Sequence, residues 1–213
     1  MTPTDPRHAA PRLVLASTSR YRQELLGRLR VAFDVESPGV DETPRDGEAP
    51  GALAARLALS KARAVAARRT DALVIGSDQT MELGDRILGK PGTEQAAFAQ
   101  LRAASGREAR FHTALALVDA RDGRLWTETV VTRVRYRALT DAEIRAYLRA
   151  EPALDCAGAA KSEGLGIALL EAIESADPTA LVGLPLVALC RMLAAAGLPP
   201  LGTPGAACTD SVA

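Results

Sequence analysis

Residues 13–30 have the sequence LVLASTSRYRQELLGRLR, in which a strand pattern passes directly into a helix pattern. The apolar run at residues 13–17 predicts a short buried strand. After the turn at Thr18-Ser19, leucines recur at helical spacing at positions 25, 26 and 29, which predicts a helix over residues 20–30. The fold is therefore expected to begin with a strand that feeds a helix, a basic unit of α/β proteins.

Two hairpins interrupt the alternation of strands and helices that follows. Residues 81–88 predict one hairpin, and Asp122-Gly123 joins the alternating strands 110–118 and 125–138 in the other. Hairpin strands run antiparallel, whereas a connecting helix favours parallel neighbours, so the pattern predicts an α/β fold with a mixed sheet. The other predicted strands are residues 31–35 and 72–75, and the predicted later helices are residues 50–69, 93–104, 140–150 and 184–196.

Polar residues at the ends of these elements have specific expected positions. Thr93 is a predicted N-cap, and Thr140 with Glu143 has the spacing of a capping box. The strand at residues 72–75 is predicted to end just before Asp78 and Gln79. This places an acid and an amide at a strand end, where site residues commonly lie.

The chain has 213 residues, and its 26 Lys and Arg against 26 Asp and Glu give a formal net charge of zero. This length predicts one globular domain, residues 12–201, between a disordered N-terminal tail, residues 1–11, and a flexible C-terminal tail, residues 202–213. A zero charge balance argues against a broad basic face, so we expect no nucleic acid polymer as a partner. A small molecule is the expected partner.

The sequence also argues against a membrane or secreted location. Its uncharged stretches contain prolines and fall short of the roughly 20 residues that a membrane span needs. The N-terminal residues lack the apolar core of a signal peptide. Cys156, Cys190 and Cys208 have no C-x-x-C spacing, which indicates reduced thiols. We therefore expect a cytoplasmic protein with no membrane partner.

Several polar residues are candidates for binding phosphate. Ser17, Ser19 and Arg22 lie at a turn before a helix, whose free N–H groups and dipole attract anions; a helix cap by either serine is the alternative interpretation. Lysine occurs only at positions 61, 90 and 161, against 23 arginines. Lys61 lies on or next to the apolar stripe of its helix, and Lys90 lies in a rigid frame between glycine and proline. Either could place a positive charge at a site, with a surface lysine as the alternative interpretation.

Asp41, Glu42 and Asp78 are candidate ligands of a divalent cation. Hard cations prefer carboxylate oxygens and neutralise phosphate charge, while a solvated side chain is the alternative for an isolated loop acid. His8 and His112 have no sequence-level partner, which argues against covalent acyl-transfer chemistry. Metal-assisted attack by water is the better fit.

Together these segments resemble the Maf family of nucleotide pyrophosphatases from about residue 13 to residue 201. The resemblance rests on LASTSRYR at 15–22, VDET at 40–43, KA at 61–62, GSDQ at 76–79, GKP at 89–91, CAG at 156–158, KSEG at 161–164 and LVGLP at 181–185. Arg20 is a departure, because family members commonly have proline after the second serine. Ser17, Ser19 and Arg22 stay in place.

The resemblance implies an elongated mixed sheet with flanking helices and two lobes around a central cleft, similar to the inosine triphosphate pyrophosphatases. It also implies hydrolysis of a nucleoside triphosphate to the monophosphate and pyrophosphate, with a divalent cation, Mg²⁺ or Mn²⁺. Asp78 matches the family's proton acceptor, and whether it acts as base or metal ligand stays open. The implied phosphate-binding residues are Ser17, Ser19, Arg22, Lys61 and Lys90, and the implied metal ligands are Glu42 and Asp78.

The resemblance links nucleotide choice to Tyr21, Gln79 and Glu163, which are similar to the subgroup acting on 7-methyl-GTP. Members of the dTTP and UTP type usually have Arg at the first of these positions and Gln at the third. An ionised Glu163 only accepts hydrogen bonds, which suits the N1–H and N2–H₂ donors of guanine. The methylated base is cationic and favours an aromatic face, for which Tyr21 is the first candidate and Trp126 the second.

Two other functions stay open from the sequence. One is a pyrophosphatase of the dTTP and UTP type, and the other is a non-catalytic nucleotide-binding regulator of cell division. Retention of Asp78, Lys61 and Lys90 favours an enzyme, because binding alone needs no acid that activates water. Assembly into a homodimer is a further open alternative, and Lys161 has no predicted role.

Overall fold

The computed structural model describes residues 11–202. The tails that the sequence predicts, residues 1–11 and 202–213, lie outside these residues except for Pro11 and Gly202. His8 and Cys208 also lie outside them. Within the described residues, Cys156 and Cys190 are free thiols. No helix in this part of the chain is long and apolar enough to cross a membrane.

The described residues form a seven-stranded mixed sheet in the order β2-β1-β3-β5-β6-β7, with β4 paired to β3. β1 is parallel to β2 and β3, and all other pairs are antiparallel. This confirms the predicted mixed sheet. The strands are β1 (Arg12–Leu15), β2 (Asp34–Val35), β3 (Ala72–Leu83), β4 (Arg86–Leu88), β5 (Glu108–Asp119), β6 (Leu125–Tyr136) and β7 (Leu170–Glu174). The strand pattern of the sequence did not indicate β7.

Within residues 11–202, five α-helices flank the sheet: α1 (Arg20–Gly27), α2 (Pro50–Ala66), α3 (Glu94–Ala104), α4 (Asp141–Ala150) and α5 (Leu186–Ala195). The predicted caps are confirmed. Thr93 caps α3 by accepting a hydrogen bond from the Ala96 amide, and Thr140 and Glu143 form a complete capping box on α4. These side chains satisfy amides at the first turn that have no partner within the helix.

β3 is much longer than the predicted strand, so the prediction that Asp78 and Gln79 lie at a strand end is wrong. β5 pairs with β3 from Leu73 to Glu82 and thereby occupies one edge of it. On the other edge β1 pairs with residues 72–75 and β4 with residues 81–83. Residues 76–80 therefore remain part of a strand while their second edge lies open between β1 and β4.

The buried apolar residues form three clusters that define two lobes. Alternate residues of β1 and β3 point to opposite faces of the sheet, so Leu13 and Leu73 pack with α1 and α5 while Val14 and Val74 pack with α2. These two clusters form the first lobe. The third cluster, around Tyr136, joins α3 and α4 to β4 and to the far ends of β3, β5 and β6, and forms the second lobe.

Candidate active site

A cleft of about 830 Å³ lies between the two lobes, beside the open edge of β3. The first lobe contributes the turn between β1 and α1, the loop before α2, and α2 itself. The second lobe contributes the loop after β4 and the segment before β7. The structure brings together ten side chains selected from the sequence, whose individual roles stay predictions: Ser17, Ser19, Tyr21, Arg22, Glu42, Lys61, Asp78, Gln79, Lys90 and Glu163.

The Lys61 ammonium joins two carboxylates at one wall of this cleft. Its Nζ lies 2.6 Å from Asp78 Oδ1 and 2.6 Å from Glu42 Oε1. Lys61 is 5% exposed and Asp78 is 7% exposed, whereas the Glu42 side chain is 54% exposed. Because its partners hold it from both sides, Lys61 is a fixed buried cation rather than a mobile surface lysine.

Gly76 explains how Lys61 reaches Asp78. A Cβ at this position would lie 2.1 Å from the Ala58 carbonyl oxygen and 2.7 Å from the Ala62 amide nitrogen. Only glycine permits a helix backbone to approach a strand so closely. The close packing of α2 on β3 places Lys61, which precedes Ala62, beside the acid two residues after Gly76.

Glu42 and its neighbour Asp41 have different environments. Asp41 is exposed, and its Oδ1 accepts hydrogen bonds from the Thr43 amide at 2.9 Å and the Thr43 hydroxyl at 2.6 Å. These bonds close a local turn, and Asp41 does not line the cleft. Of the two adjacent acids, only Glu42 therefore belongs to the candidate site.

The turn between β1 and α1 contains the three residues predicted to bind an anion, Ser17, Ser19 and Arg22. Ser19 occupies the N-cap position of α1, but its side chain makes no capping hydrogen bond, so the capping interpretation is wrong for this serine. Ser17 Oγ accepts hydrogen bonds from the Ser19 amide at 3.2 Å and from Arg22 at 3.3 Å. The Gly183 carbonyl accepts hydrogen bonds from Arg22 Nε and from the Ser77 hydroxyl, each at 2.9 Å. Arg22 is thus oriented before any ligand arrives.

The charges in this half of the cleft sum to one positive charge, from Arg22, Lys61 and Lys90 against Glu42 and Asp78. Partial burial raises the pKa of Glu42, but the hydrogen bond and charge of Lys61, together with Lys90 and Arg22, outweigh it and lower the pKa below its ordinary value. Burial lowers the pKa of Arg22, and the two acids oppose this effect. Its ordinary pKa is so high that the guanidinium stays charged. The arrangement is suited to an anion.

The carboxylates of Glu42 and Asp78 are suited to bind a divalent cation. Glu42 and Asp78 contact the same Lys61 nitrogen, so their oxygens lie close together in the cleft. Residues 11–202 contain no group of three or more His, Cys, Asp or Glu arranged to hold a metal. Mg²⁺ commonly binds one or two carboxylates and completes its shell with water and substrate phosphates. The donor set therefore fits a cation that binds with a phosphate ligand.

Gln79 attaches the segment before α5 to the sheet. Its side-chain nitrogen donates to Thr113 Oγ1 at 2.9 Å, to the Ala180 carbonyl at 3.1 Å and to the Leu181 carbonyl at 3.0 Å. Thr113 also donates to the Ala180 carbonyl at 2.9 Å. These contacts occupy the side-chain nitrogen, and the role of Gln79 in nucleotide choice stays a prediction.

The other end of the cleft contains the predicted base-reading residues. The Tyr21 hydroxyl donates to Asp155 at 3.3 Å and accepts a hydrogen bond from Arg20 at 3.0 Å. Two cations lie over the Tyr21 ring, the Arg20 guanidinium at 4.9 Å and Lys161 Nζ at 5.4 Å from its centroid. Glu163 is exposed in the cleft wall and forms no ion pair with any residue that the structure describes. Lys161 thus contacts the aromatic residue of this subsite.

Trp126 and His112 do not line the cleft. Trp126 packs against the first-lobe cluster with α1 and α5, and Arg124 lies 5.5 Å from its ring centroid. The prediction of Trp126 as a second base-stacking residue is wrong, because β6 carries it away from the cleft. His112 pairs across the strands with Glu82 at 2.7 Å.

Several residues that line or support the cleft were not singled out as site residues from the sequence. Gly183, Cys156 and Asp155 line it, whereas Ser77 and Thr113 are fully buried and bond to residues that line it. Gly183 lies within the motif LVGLP and Ser77 within GSDQ, so both could have been selected from these motifs. Cys156 also lies in a motif, and burial raises the pKa of its thiol to about 11. Asp155 and Thr113 carry no sequence signal, because only the fold brings them to the site.

The family of Maf-like proteins matches residues 12–196. The chain belongs to the Maf family. The match spans all ten of the selected side chains, and it confirms the family resemblance inferred from the motifs.

This Maf chain is similar to a 7-methyl-GTP pyrophosphatase of Burkholderia thailandensis, with 62% identity over 200 residues, 92% of this chain and 93% of that protein. A 7-methyl-GTP pyrophosphatase of Thiobacillus denitrificans is 58% identical over 195 residues, 92% of the Maf chain and 97% of that protein. The structure of the Staphylococcus aureus Ham1 protein aligns with 60% of the Maf chain and 72% of its own, at 16% identity and a TM-score of 0.43.

Proposed function

We propose that this Maf chain is a nucleoside triphosphate pyrophosphatase that hydrolyses the α–β phosphoanhydride bond of 7-methyl-GTP. The products are 7-methyl-GMP and pyrophosphate. One observation carries the proposal: a single cleft is lined both by Lys61, which pairs with Asp78, and by the acid Glu163, which has no ion-pair partner within residues 11–202. The relatives named 7-methyl-GTP pyrophosphatase support the same substrate.

The triphosphate binds at the positive half of the cleft. Arg22 is already oriented by Gly183 and Ser17, so its remaining N–H groups meet phosphate oxygens with little loss of conformational entropy. The Ser19 hydroxyl and the amides at the start of α1 add hydrogen bonds to the same oxygens. Lys90, which belongs to the opposite lobe, contacts the triphosphate from the other side of the cleft.

Asp78 is the proton acceptor in this proposal. Its Oδ1 is bonded to Lys61, and no described residue is bonded to Oδ2, so Oδ2 takes the proton of the attacking water. The water oxygen bonds to the α phosphorus while the bond between that phosphorus and the bridging oxygen breaks. The bridging oxygen leaves with the β phosphate as part of pyrophosphate. Lys61 and Arg22 neutralise the charge that develops on the phosphate oxygens.

Glu42 would hold a divalent cation, Mg²⁺ or Mn²⁺, together with the bound phosphates. Asp78 would be the second ligand only in the alternative in which it does not act as the base, because a carboxylate that binds a metal is a poor base. When bound, the cation neutralises phosphate charge and thereby favours attack by water. The lowered pKa of Glu42 keeps this ligand ionised across the neutral range. Glu42 is also the more exposed of the two acids, which gives a hydrated cation access to it.

The base binds at the half of the cleft that contains Glu163 and Tyr21. Glu163 accepts the N1–H and N2–H₂ hydrogen bonds of guanine, whereas a pyrimidine would place a carbonyl oxygen against the same carboxylate. The Tyr21 ring already attracts two cations, so this surface has the electrostatic character that a methylated, cationic base requires. Glu163 supplies the negative charge that the base neutralises.

The proposed setting is the cytoplasm, with the nucleotide rather than a nucleic acid polymer as the partner. The free thiols Cys156 and Cys190 are consistent with a reducing compartment. All of the proposed site residues come from one chain, and a homodimer stays an option of the proposal.

The deciding experiment measures pyrophosphate release from 7-methyl-GTP, GTP, UTP and dTTP. The purified protein is assayed with Mg²⁺, with Mn²⁺ and with a chelator, and the monophosphate is identified by mass spectrometry. We expect 7-methyl-GTP to have the highest kcat/KM and the chelator to abolish turnover. Release of monophosphate and pyrophosphate together, without free phosphate, identifies the α–β bond as the one that breaks.

Two results would replace this proposal with a rival function. Faster turnover of UTP or dTTP than of 7-methyl-GTP would assign the chain to the pyrimidine type. Tight binding of nucleotide without pyrophosphate release, under every metal condition, would indicate a regulator. Asp78→Asn, which keeps the shape of the acid but not its basicity, serves as the matched inactive control.

A further inference from the structure

Glu151, the residue that follows α4, anchors the segment that presents Glu163. Its Oε1 lies 3.2 Å from Lys161 Nζ, and its Oε2 accepts a hydrogen bond from the Leu165 amide at 2.6 Å. A Cβ at Gly164 would lie 2.5 Å from Oε1, so the carboxylate packs directly on the backbone of this segment. The Glu151 and Lys161 side chains are only 20% and 22% exposed. Glu151 itself does not line the cleft.

The ion pair between Glu151 and Lys161 holds the Lys161 ammonium beside Tyr21, which lines the cleft, and the Glu151 carboxylate neutralises that ammonium. Lys161 Nζ lies over the Tyr21 ring, and its backbone amide is fixed by the Tyr147 hydroxyl at 3.1 Å. Lys161 is two residues from Glu163, which has no ion-pair partner among the described residues. Glu151 therefore provides the carboxylate with which Lys161 pairs, and Glu163 stays unpaired.

The charges around Tyr21 add up to one negative charge. The charges counted are the carboxylates of Glu151, Asp155 and Glu163 and the cations of Arg20 and Lys161. Each of these residues contacts Tyr21, pairs with one of its two cations or lines the same cleft. A ligand with one fixed positive charge neutralises this surplus, and a neutral ligand does not. Without the Glu151 charge, the surplus would disappear.

We infer that Glu151 is a positioning residue that sets the preference for a cationic base, and that it does so by binding Lys161. The inference rests on the proposed function, because it takes the methylated guanine nucleotide as the ligand. Glu151 does not touch the nucleotide. It acts through Lys161, by keeping that ammonium from neutralising the charge of Glu163.

The test compares 7-methyl-GTP with GTP, since the two share the same hydrogen-bonding edge and differ in the fixed charge of the base. Dissociation constants of both nucleotides are measured by calorimetry in the presence of a chelator, so the result does not depend on turnover. Glu151→Gln keeps an oxygen for the Leu165 amide but removes the charge that binds Lys161. We expect the preference of this variant for 7-methyl-GTP over GTP to be about fivefold smaller than that of the wild-type protein. This is the effect expected of one partly screened charge pair.

A second variant separates this electrostatic role from damage to the segment. The double variant Glu151→Gln with Lys161→Met restores the net negative charge, and we expect it to recover the wild-type ratio to within about twofold. Glu171→Gln, which removes an exposed partner of Arg135 on the outer strands, is the matched control and leaves the ratio unchanged. An unaltered ratio in Glu151→Gln, or a loss that Lys161→Met does not restore, overturns the inference.

These results are distinguishable from a failure of the proposed function. If the wild-type protein binds 7-methyl-GTP preferentially and the variants behave as expected, yet no pyrophosphate is released, only the enzymatic proposal fails. If pyrophosphate is released and the binding ratio does not respond to Glu151→Gln, only the present inference fails. Equal affinity of the wild-type protein for the two nucleotides contradicts the inference directly.

Discussion

Lys61 Nζ lies 2.6 Å from Asp78 Oδ1, and both side chains are almost completely buried where β3 has no neighbour on one edge. The pair spans two elements of the first lobe, since Lys61 belongs to α2 and Asp78 to β3. Each residue neutralises the other in a place that water hardly reaches. A base and a cation therefore lie side by side, as phosphate chemistry requires. A single buried charge without a partner could not provide this arrangement.

Lys61→Met is expected to lower both stability and activity. Removing one partner of a buried ion pair leaves the other uncompensated, so the free energy of unfolding should fall by about 3 kcal/mol. Loss of the cation that faces the phosphates should lower kcat by about 100-fold. Urea denaturation and pyrophosphate release measure the two effects.

The double variant Lys61→Met with Asp78→Asn separates the loss of stability from the loss of activity that Lys61→Met is expected to cause. Removal of both charges should recover most of the stability but none of the activity. Lys90→Met is the control for stability, because Lys90 is exposed and should change the free energy of unfolding by less than about 0.5 kcal/mol. Full stability in Lys61→Met would contradict the interpretation.

Gly76→Ala is expected to separate α2 from β3. The added Cβ would lie 2.1 Å from the Ala58 carbonyl, and a helix backbone cannot move aside as a side chain can. We expect a loss of about 3 kcal/mol in the free energy of unfolding and a parallel loss of activity, because Lys61 moves away from Asp78. Gly27→Ala, at the end of α1 with nothing within 4 Å of the new Cβ, is the matched control. Equal stability of the two variants would exclude the close packing as the cause.

Arg22→Lys tests whether the shape of the guanidinium matters beyond its charge. Arg22 uses Nε for the Gly183 carbonyl and a terminal nitrogen for Ser17, and lysine cannot place one ammonium at both. We expect the KM for the triphosphate to rise about tenfold while kcat changes less. Steady-state kinetics with a single nucleotide measure the two constants. An unchanged KM would show that charge alone is sufficient at this position.

The pH dependence of stability should depend on Glu42. The folded protein lowers the pKa of Glu42 below its ordinary 4.5, so the stabilisation it contributes is fully present above pH 4.5. That stabilisation is lost as the pH falls through the lowered value of the folded state. Urea midpoints of the wild-type protein and of Glu42→Gln, measured from about pH 3 to pH 7, should therefore converge at the acid end. A constant difference between the two proteins across this range would contradict the assignment.

Local sequence signals predicted the parts of the fold that depend on neighbouring residues. Asp122-Gly123 indicated the turn between β5 and β6, and Thr93 and Thr140 indicated the starts of α3 and α4. Turns and caps are formed by residues a few positions apart, so their chemistry can be recognised without the rest of the chain. The length of β3 could not be predicted in this way, because it depends on pairing with β5, whose residues follow their partners in β3 by 28 to 46 positions.

The sequence by itself determined which groups are present: a few lysines among many arginines, acids in separate loops, and motifs that indicated the family. The tertiary structure decided which of them meet. Glu42 reaches Lys61 while its neighbour Asp41 closes a turn, and Trp126 packs into the first lobe while Tyr21 lines the cleft. The physical reason is that an ion pair or a hydrogen bond forms only when its two groups lie within a few ångströms of each other. Glu151 affects the site only because the fold brings Lys161 within 3.2 Å of it.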